Sequence, residues 1–223
     1  MSTSATPGRP ASAQIDVVPA VAGDDEQLTT STRGPRTGGD LPVLPLGLEF
    51  MTTLVLGPPP PELEALLERR RRAGVDRLDE VWQGVRHMVP GPSFEHGRVA
   101  HQLAELLGPP ARASGLIPVM HEFNLGESEQ DFRVPDGGLH RPGAAGVWLS
   151  TAAVVVEILS PGDESWQKLP FYAEHHVDEV LLVDPDQRTV TWLQLHVGEY
   201  EPVQRSRLID LGPAELAEQL DWP

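Results

Sequence analysis

The sequence predicts an α/β fold in which a mixed β-sheet is flanked by helices. Two segments with leucines at helical spacing come first, and a series of β-branched runs interrupted by a short helix follows. This order, α–β–α–β–β–β–α–β–β–β, is typical of a mixed sheet covered by helices. The 223 residues, 39% of them hydrophobic, are enough for one domain with a sizeable core.

The first 60 residues differ from the rest in composition. Residues 1–60 are rich in Pro, Gly, Ser and Thr, show no sustained period and end in a run of prolines. We predict a disordered arm over 1–60 and a folded domain over 61–223. The apolar stretch 41–57 holds two prolines and a glutamate and is too short to span a bilayer. Met51 is an alternative start, because the sequence that follows it could begin a complete domain.

The elements that open the domain follow from end signals and periodicity. A helix is predicted over 61–74, where proline occupies the first turn and glycine ends the pattern. Residues 79–89 predict a hairpin or two short strands around Gly84. Ser93 is placed to cap a second helix, which the leucine spacing extends through Leu107.

Strands dominate the remainder of the chain. They are predicted at 115–125, 131–136, 151–161, 177–185, 188–196 and 199–204. A Gly- and Pro-rich loop is predicted at 137–146, a short helix at 163–176 and a C-terminal amphipathic helix at 213–220. Because Pro170 inside a helix would remove a hydrogen bond, the 163–176 helix must begin near Lys168 or kink there.

Composition excludes several classes of function. The chain has no cysteine, so disulfides, zinc–thiolate sites and thiol nucleophiles are ruled out. No signal peptide or membrane span is apparent, and we expect a cytoplasmic protein without a membrane partner. The net charge of −16 argues against binding nucleic acid by bulk charge. Of 17 basic residues, 16 are Arg, and because Arg cannot give up its proton, Lys168 is the first candidate for chemistry.

Three residues form the candidate site: Asp136, Glu157 and Lys168. Asp136 ends a predicted strand, and Glu157 follows three valines, where a carboxylate is costly unless it is paired or bound to metal. If the two strands are neighbours, the carboxylates lie close together, and a divalent cation would relieve their repulsion. Such oxygen ligands suit Mg²⁺ or Mn²⁺. The helix after Glu157 would bring Lys168 back over the strand end.

This arrangement resembles the PD-(D/E)XK nuclease superfamily. More narrowly, the chain is similar to the Uma-type family of bacterial proteins assigned as restriction endonucleases, over about residues 62–196. The resemblance is carried by EVWQG at 80–84, His96, VPD at 134–136, VVVEILSP at 154–161, Asp163, Lys168, Tyr172 and VDEVLLVDP at 177–185. In that family the superfamily lysine is absent from the strand, where this chain has Leu159. The lysine comes instead from the helix that follows, and this position corresponds to Lys168.

The resemblance implies a restriction-endonuclease-like core and Mg²⁺- or Mn²⁺-dependent hydrolysis of DNA phosphodiester bonds. Asp136 and Glu157 would hold the metal, helped by the backbone carbonyl of Ile158, with Glu80 as a candidate outer ligand. Lys168 would position the attacking water. The implied partner is DNA, and a homodimer is consistent with an enzyme that cuts both strands.

Other interpretations stay open. The main alternative is a binding or regulatory module that keeps the nuclease fold without turnover. A two-carboxylate glycosidase is disfavoured, because it gives Lys168 no role and the chain has only 12 Trp, Tyr and Phe residues to stack on sugars. The run Arg69–Arg72 is either a DNA-binding patch or a set of cations that complements the helix dipole. His96 is either a ligand or a hydrogen-bonding residue at the start of its helix.

Overall fold

A computed structural model describes residues 61–162 and 164–223 of the chain. The predicted arm at 1–60, with Met51 and the apolar stretch inside it, lies outside the described residues, and so does Asp163. Four α-helices and eleven β-strands are found in the described ranges. None of these helices combines the length and the apolar character that crossing a bilayer requires.

The elements follow the predicted order, except that six strands rather than three lie between the second and third helices. The helices are α1 (Pro61–Ala73), α2 (Phe94–Ala113), α3 (Leu169–Glu174) and α4 (Pro213–Gln219), and a 3-10 turn, Ser165–Lys168, leads directly into α3. The strands are β1 (Glu80–Trp82), β2 (Val85–His87), β3 (Ile117–Val119), β4 (Asn124–Ser128), β5 (Asp131–Arg133), β6 (Gly137–His140), β7 (Trp148–Leu149), β8 (Val154–Ile158), β9 (Glu179–Asp184), β10 (Thr189–His196) and β11 (Glu199–Pro202).

The strands form two sheets. The larger has six strands in the order β11-β10-β9-β8-β6-β3, and the smaller has five in the order β2-β1-β5-β4-β7. The pairs β8–β9 and β4–β7 are parallel and their other neighbours are antiparallel, so both sheets are mixed. The predicted α/β class with helices flanking a mixed sheet is confirmed. The strands divide between two sheets, however, where the sequence pattern indicated one.

Helices cover both faces of the larger sheet. Side chains of α2 and α4 pack with Val154, Val156 and Ile158 of β8 in one buried cluster. Side chains of α3 pack with Val155 in a second cluster on the opposite face. This is the alternation that a period of two predicts for a strand, and it places Glu157 on the face that α3 covers.

Local end signals act as the sequence predicts. Gln83 and Gly84 join β1 to β2 with φ angles of 50° and 85°, the pair of positive φ angles that a tight type I′ hairpin requires. The Ser93 hydroxyl accepts a hydrogen bond of 3.1 Å from the His96 backbone N–H and caps α2. Lys168 ends the 3-10 turn and Pro170 lies in the first turn of α3, so the helix begins where the proline requires it.

The predicted end of α2 was wrong. The helix continues past Leu107 to Ala113, through Pro109 and Pro110. Leu107 and Ala111 are both fully buried against the larger sheet, so the apolar face extends beyond the two prolines. Packing of that face outweighs the backbone hydrogen bonds that the prolines remove.

The predicted loop at 137–146 was also wrong at its start, because Gly137–His140 forms the interior strand β6. A Cβ atom on Gly138 would lie 2.9 Å from the carbonyl oxygen of Val154, so this glycine permits two strands to approach closely rather than marking a turn. The predicted strand at 131–136 ends at Arg133 and belongs to the smaller sheet. The predicted strand at 115–125 is two strands, β3 and β4, in different sheets.

Three of the four arginines at 69–72 form ion pairs within the protein. Arg70 pairs with the buried carboxylate of Asp79 at 2.5 Å, and Arg71 and Arg72 pair with Glu68 on their own helix. None of the residues of α1 is buried, so the Arg70–Asp79 ion pair is one of the main contacts that hold this helix against the domain. These contacts favour the structural interpretation of the run over a DNA-binding patch.

Candidate active site

The end of β8 brings Asp136 and Glu157 together. Gly137 of β6 pairs with Val156 of β8, and continuing this antiparallel register by one residue places Asp136 opposite Glu157. Asp136 Oδ2 accepts a hydrogen bond of 2.7 Å from the Ile158 backbone N–H. The expected neighbour of β8 was the strand at 131–136, but β6, which starts just after Asp136, takes that position.

Glu157 is enclosed by groups that donate hydrogen bonds. Its carboxylate is almost completely buried, and Lys168 Nζ lies 3.1 Å from Oε1. The Tyr172 hydroxyl also donates to Oε1, and Ser165 Oγ lies 3.4 Å from Oε2. Lys168 and Tyr172 are four residues apart around the start of α3, and together with Ser165 they bring this one segment of chain over the carboxylate.

Glu80 reaches the same point from the smaller sheet. Its Oε1 lies 2.9 Å from Lys168 Nζ and accepts a hydrogen bond of 2.8 Å from the Val134 backbone N–H. Its Oε2 accepts from Trp82 Nε1 at 2.6 Å. The ammonium of Lys168 therefore joins a carboxylate of β1 to a carboxylate of β8, and the site is assembled from both sheets.

His96 is the second partner of Asp136. The imidazole Nε2 lies 3.1 Å from Asp136 Oδ1, across from the oxygen that accepts the Ile158 N–H. The Ser93 cap fixes the first turn of α2 and so fixes the position of this imidazole. The sequence alone left the role of His96 open, whereas the structure places its side chain in the cluster.

Burial and charge set the proton affinity of the cluster. Burial raises the pKa of Glu157 from 4.5 to about 8; the neighbouring carboxylates of Asp136 and Glu80 add to the rise, while Lys168 and the Tyr172 hydrogen bond oppose it. Burial alone would lower the pKa of Lys168, but Glu157 and Glu80 raise it above its ordinary 10.5. Lys168 is therefore an ammonium at neutral pH, a donor rather than a base.

The cluster lies in a cavity of about 530 Å³. Its polar side is formed by the site residues and by His87 and Glu164, which are 3.0 Å apart. The other lining residues are mostly apolar and include Leu78, Met88, Val89, Pro90, Pro92 and Val134, together with the half-buried Trp82 and the exposed Glu122. A substrate group bound in this cavity would therefore meet both the charged cluster and apolar side chains.

The donor chemistry of the cluster fits a hard divalent cation. Three carboxylates face one ammonium, so the fully ionised cluster carries excess negative charge. Both Asp136 oxygens and Glu80 Oε2 each accept one hydrogen bond and keep a lone pair for a cation, whereas both Glu157 oxygens already accept two. Throughout the described part of the chain, no three His, Asp or Glu side chains are grouped as a ready-made metal site. The predicted ligands, including the Ile158 carbonyl and Glu80, therefore stay predictions.

Comparisons with known proteins place the chain in a family. The family profile Uma2, described as "Putative restriction endonuclease", matches residues 65–221. The chain belongs to the Uma2 family. This confirms the resemblance seen in the sequence, and the Uma2 match includes all of the site residues described above.

A solved structure supports the fold of this Uma2 protein. The chain is similar to a protein from Anabaena variabilis ATCC 29413 whose description is "a putative nuclease belonging to DUF820". The two are 18% identical, with a TM-score of 0.52, and the match covers 63% of this chain and 90% of the other. At this identity the likeness shows a shared fold. No protein of curated function matches the chain.

Proposed function

We propose that this Uma2 protein is a metal-dependent nuclease that hydrolyses phosphodiester bonds of DNA. The observation that carries the proposal is the position of Lys168, the chain's single lysine, whose Nζ lies within 3.1 Å of both Glu157 and Glu80 beside Asp136. Membership of a family described as restriction endonucleases supports the same chemistry. A glycosidase would leave this lysine without a role.

In the proposed reaction, a water oxygen bonds to phosphorus and loses a proton to solvent, while the bond from phosphorus to the leaving oxygen breaks and that oxygen takes up a proton from solvent. Asp136 and Glu157, with the Ile158 carbonyl, would hold Mg²⁺ or Mn²⁺, which when bound would supply positive charge against the developing phosphate charge. His96 and the Ile158 N–H orient Asp136, and Tyr172 orients Glu157. Lys168, as an ammonium, donates to the attacking water or to a phosphoryl oxygen.

Cleavage of double-stranded and single-stranded circular DNA tests this proposal. Wild type, E157A and K168A are incubated with supercoiled plasmid and with circular single-stranded DNA at low salt, with Mg²⁺ or Mn²⁺. Wild type is expected to cut at least one substrate, and each variant to lose 100-fold or more of the rate. E218A, which removes an exposed carboxylate of α4, is the matched control and should cut as wild type does. Equal cutting by E157A and K168A would refute the assignment of the site.

The second candidate is a nuclease-fold binding module without turnover. It is favoured by the internal pairing of the cluster, since Lys168 already neutralises Glu157 and Glu80 in part. DNA binding by the wild type, with no cleavage of either substrate in either metal, would support this candidate and refute the enzyme.

A further inference from the structure

The acidic cluster is recessed from the protein surface. The side chains of Glu80 and Glu157 are each only 3% exposed, and Lys168 is 12% exposed. They lie in the cavity of about 530 Å³, within the range of about 300–1,000 Å³ that encloses a small organic ligand. Because the cluster is recessed, the phosphodiester must enter the cavity to reach it, and the attached sugar and base enter with it. The apolar wall of the cavity then provides a surface for that base. A stacked and paired base cannot occupy such a cavity.

Two exposed aromatic residues stand close in sequence to residues that line the cavity, although neither lines it itself. Phe94 is 82% exposed and Trp166 is 51% exposed, and no other Phe, Trp or Tyr of the described ranges is in the exposed class. Ser93 and His96, on either side of Phe94 in sequence, line the cavity, as do Glu164 and Lys168 around Trp166. Exposed aromatic rings at a nucleic-acid site are the surfaces on which unpaired bases stack.

The charge of the protein favours stacking over phosphate contacts. After residue 50 the chain has 14 basic and 27 acidic residues, and Arg70, Arg71 and Arg72 are paired internally. Counterion release by Lys and Arg, which dominates the binding of duplex DNA, is therefore weak here. Base–aromatic stacking strengthens binding without requiring positive charge, and it is open only to unpaired bases.

We infer that this site accepts an unpaired DNA strand, with bases stacked on Phe94 and Trp166 and the intervening backbone directed into the cavity. The inference rests on the proposed function, because it assigns the substrate strand of the same site. It predicts a protein that selects single-stranded DNA, including the unpaired regions of supercoiled plasmid, over relaxed duplex.

Fluorescence anisotropy in EDTA separates binding from hydrolysis. A labelled 20-nucleotide oligo(dT) is compared with the 20-base-pair dA·dT duplex, using wild type, F94A, W166A and V197A. Val197 is 91% exposed and lies outside the cavity lining, so V197A controls for loss of an exposed apolar side chain. We expect oligo(dT) to bind at least 10-fold more tightly than the duplex. F94A and W166A should each weaken oligo(dT) binding about fivefold or more without changing the thermal midpoint.

The inference would be overturned if the duplex bound as tightly as oligo(dT) or more tightly. It would also be overturned if F94A and W166A both bound oligo(dT) with the affinity of wild type. Cleavage assays in Mn²⁺ keep the two proposals separable. Selective, aromatic-dependent strand binding without any cleavage would refute the nuclease and leave the strand assignment standing. Cleavage of relaxed duplex that is indifferent to F94A and W166A would refute the strand assignment and leave the nuclease standing.

Discussion

Between about pH 4.5 and pH 8, burial favours the protonated form of Glu157 in the folded protein, whereas the unfolded chain releases that proton. Burial, with the charges of Asp136 and Glu80, raises its pKa in the folded protein to about 8, against 4.5 for a solvated glutamate. Between these two values the folded state binds more protons than the unfolded state, so the free energy of unfolding falls as pH rises. Lys168 adds nothing to the pH dependence of the free energy of unfolding between these two values, because its pKa is raised above 10.5 and it stays protonated.

The substitution E157Q should remove this dependence. In EDTA, the thermal midpoint of wild type relative to E157Q is expected to fall by about 3 °C or more from pH 5 to pH 8, and to level off above pH 8. Differential scanning fluorimetry in a buffer series of constant ionic strength measures both proteins. If the thermal midpoints of wild type and E157Q changed with pH in the same way across the whole range, Glu157 would be ionised in the folded state.

At the residue scale, the sequence singled out the side chains that the structure brings together, while their roles stay predictions. Glu157 could be found because a carboxylate among valines is costly, and Lys168 because it is the only lysine. Tyr172 was visible only as a family-matching position and the role of His96 was left open, since neither position shows from sequence which carboxylate it contacts. The four-residue spacing between Lys168 and Tyr172 was a usable signal for a shared face.

At the scale of elements, helices and hairpins were predictable where local end signals exist, as at Ser93 and Gly84. The strand β6 was not, because its two glycines carry no strand propensity, and the close approach of the β8 backbone to Gly138 is not visible in the sequence. The division into two sheets was also hidden, because periodicity reports which face of a strand is buried and not which strand lies beside it.

Gly138 therefore provides a test of the close approach between β6 and β8. A Cβ atom there would lie 2.9 Å from the Val154 carbonyl oxygen and 3.0 Å from the Phe123 ring, inside the larger sheet. G138A is expected to lower the free energy of unfolding by about 1–3 kcal/mol, as overpacking does. Urea denaturation measures it. G97A, in α2 with no atom near the added methyl group, is the matched control and should be neutral or stabilising by up to about 1 kcal/mol. Similar results for both glycines would contradict the close approach of β6 and β8.

At the scale of the whole molecule, the two sheets must keep a fixed relation for Lys168 to reach both Glu80 and Glu157. Arg133 of β5 is placed to hold that relation, because its buried guanidinium lies 4.5 Å from the Trp82 ring of the smaller sheet and 4.0 Å from the Phe171 ring of α3. Its Nη1 also donates to the Val81 carbonyl at 3.0 Å. Stacking between two rings uses the planar guanidinium, which a lysine cannot replace.

We therefore expect R133L to affect both stability and the site. Loss of the stacked cation and its hydrogen bonds should lower the free energy of unfolding by about 2–4 kcal/mol, while R141A, which removes an exposed ion pair with Asp178, should cost less than about 1 kcal/mol. At temperatures where R133L is still folded, Mn²⁺ binding by calorimetry should weaken, because Glu80 and Trp82 are no longer fixed against α3. Wild-type Mn²⁺ affinity in folded R133L would mean that the larger sheet alone holds the cation, and that Glu80 takes no part in the site.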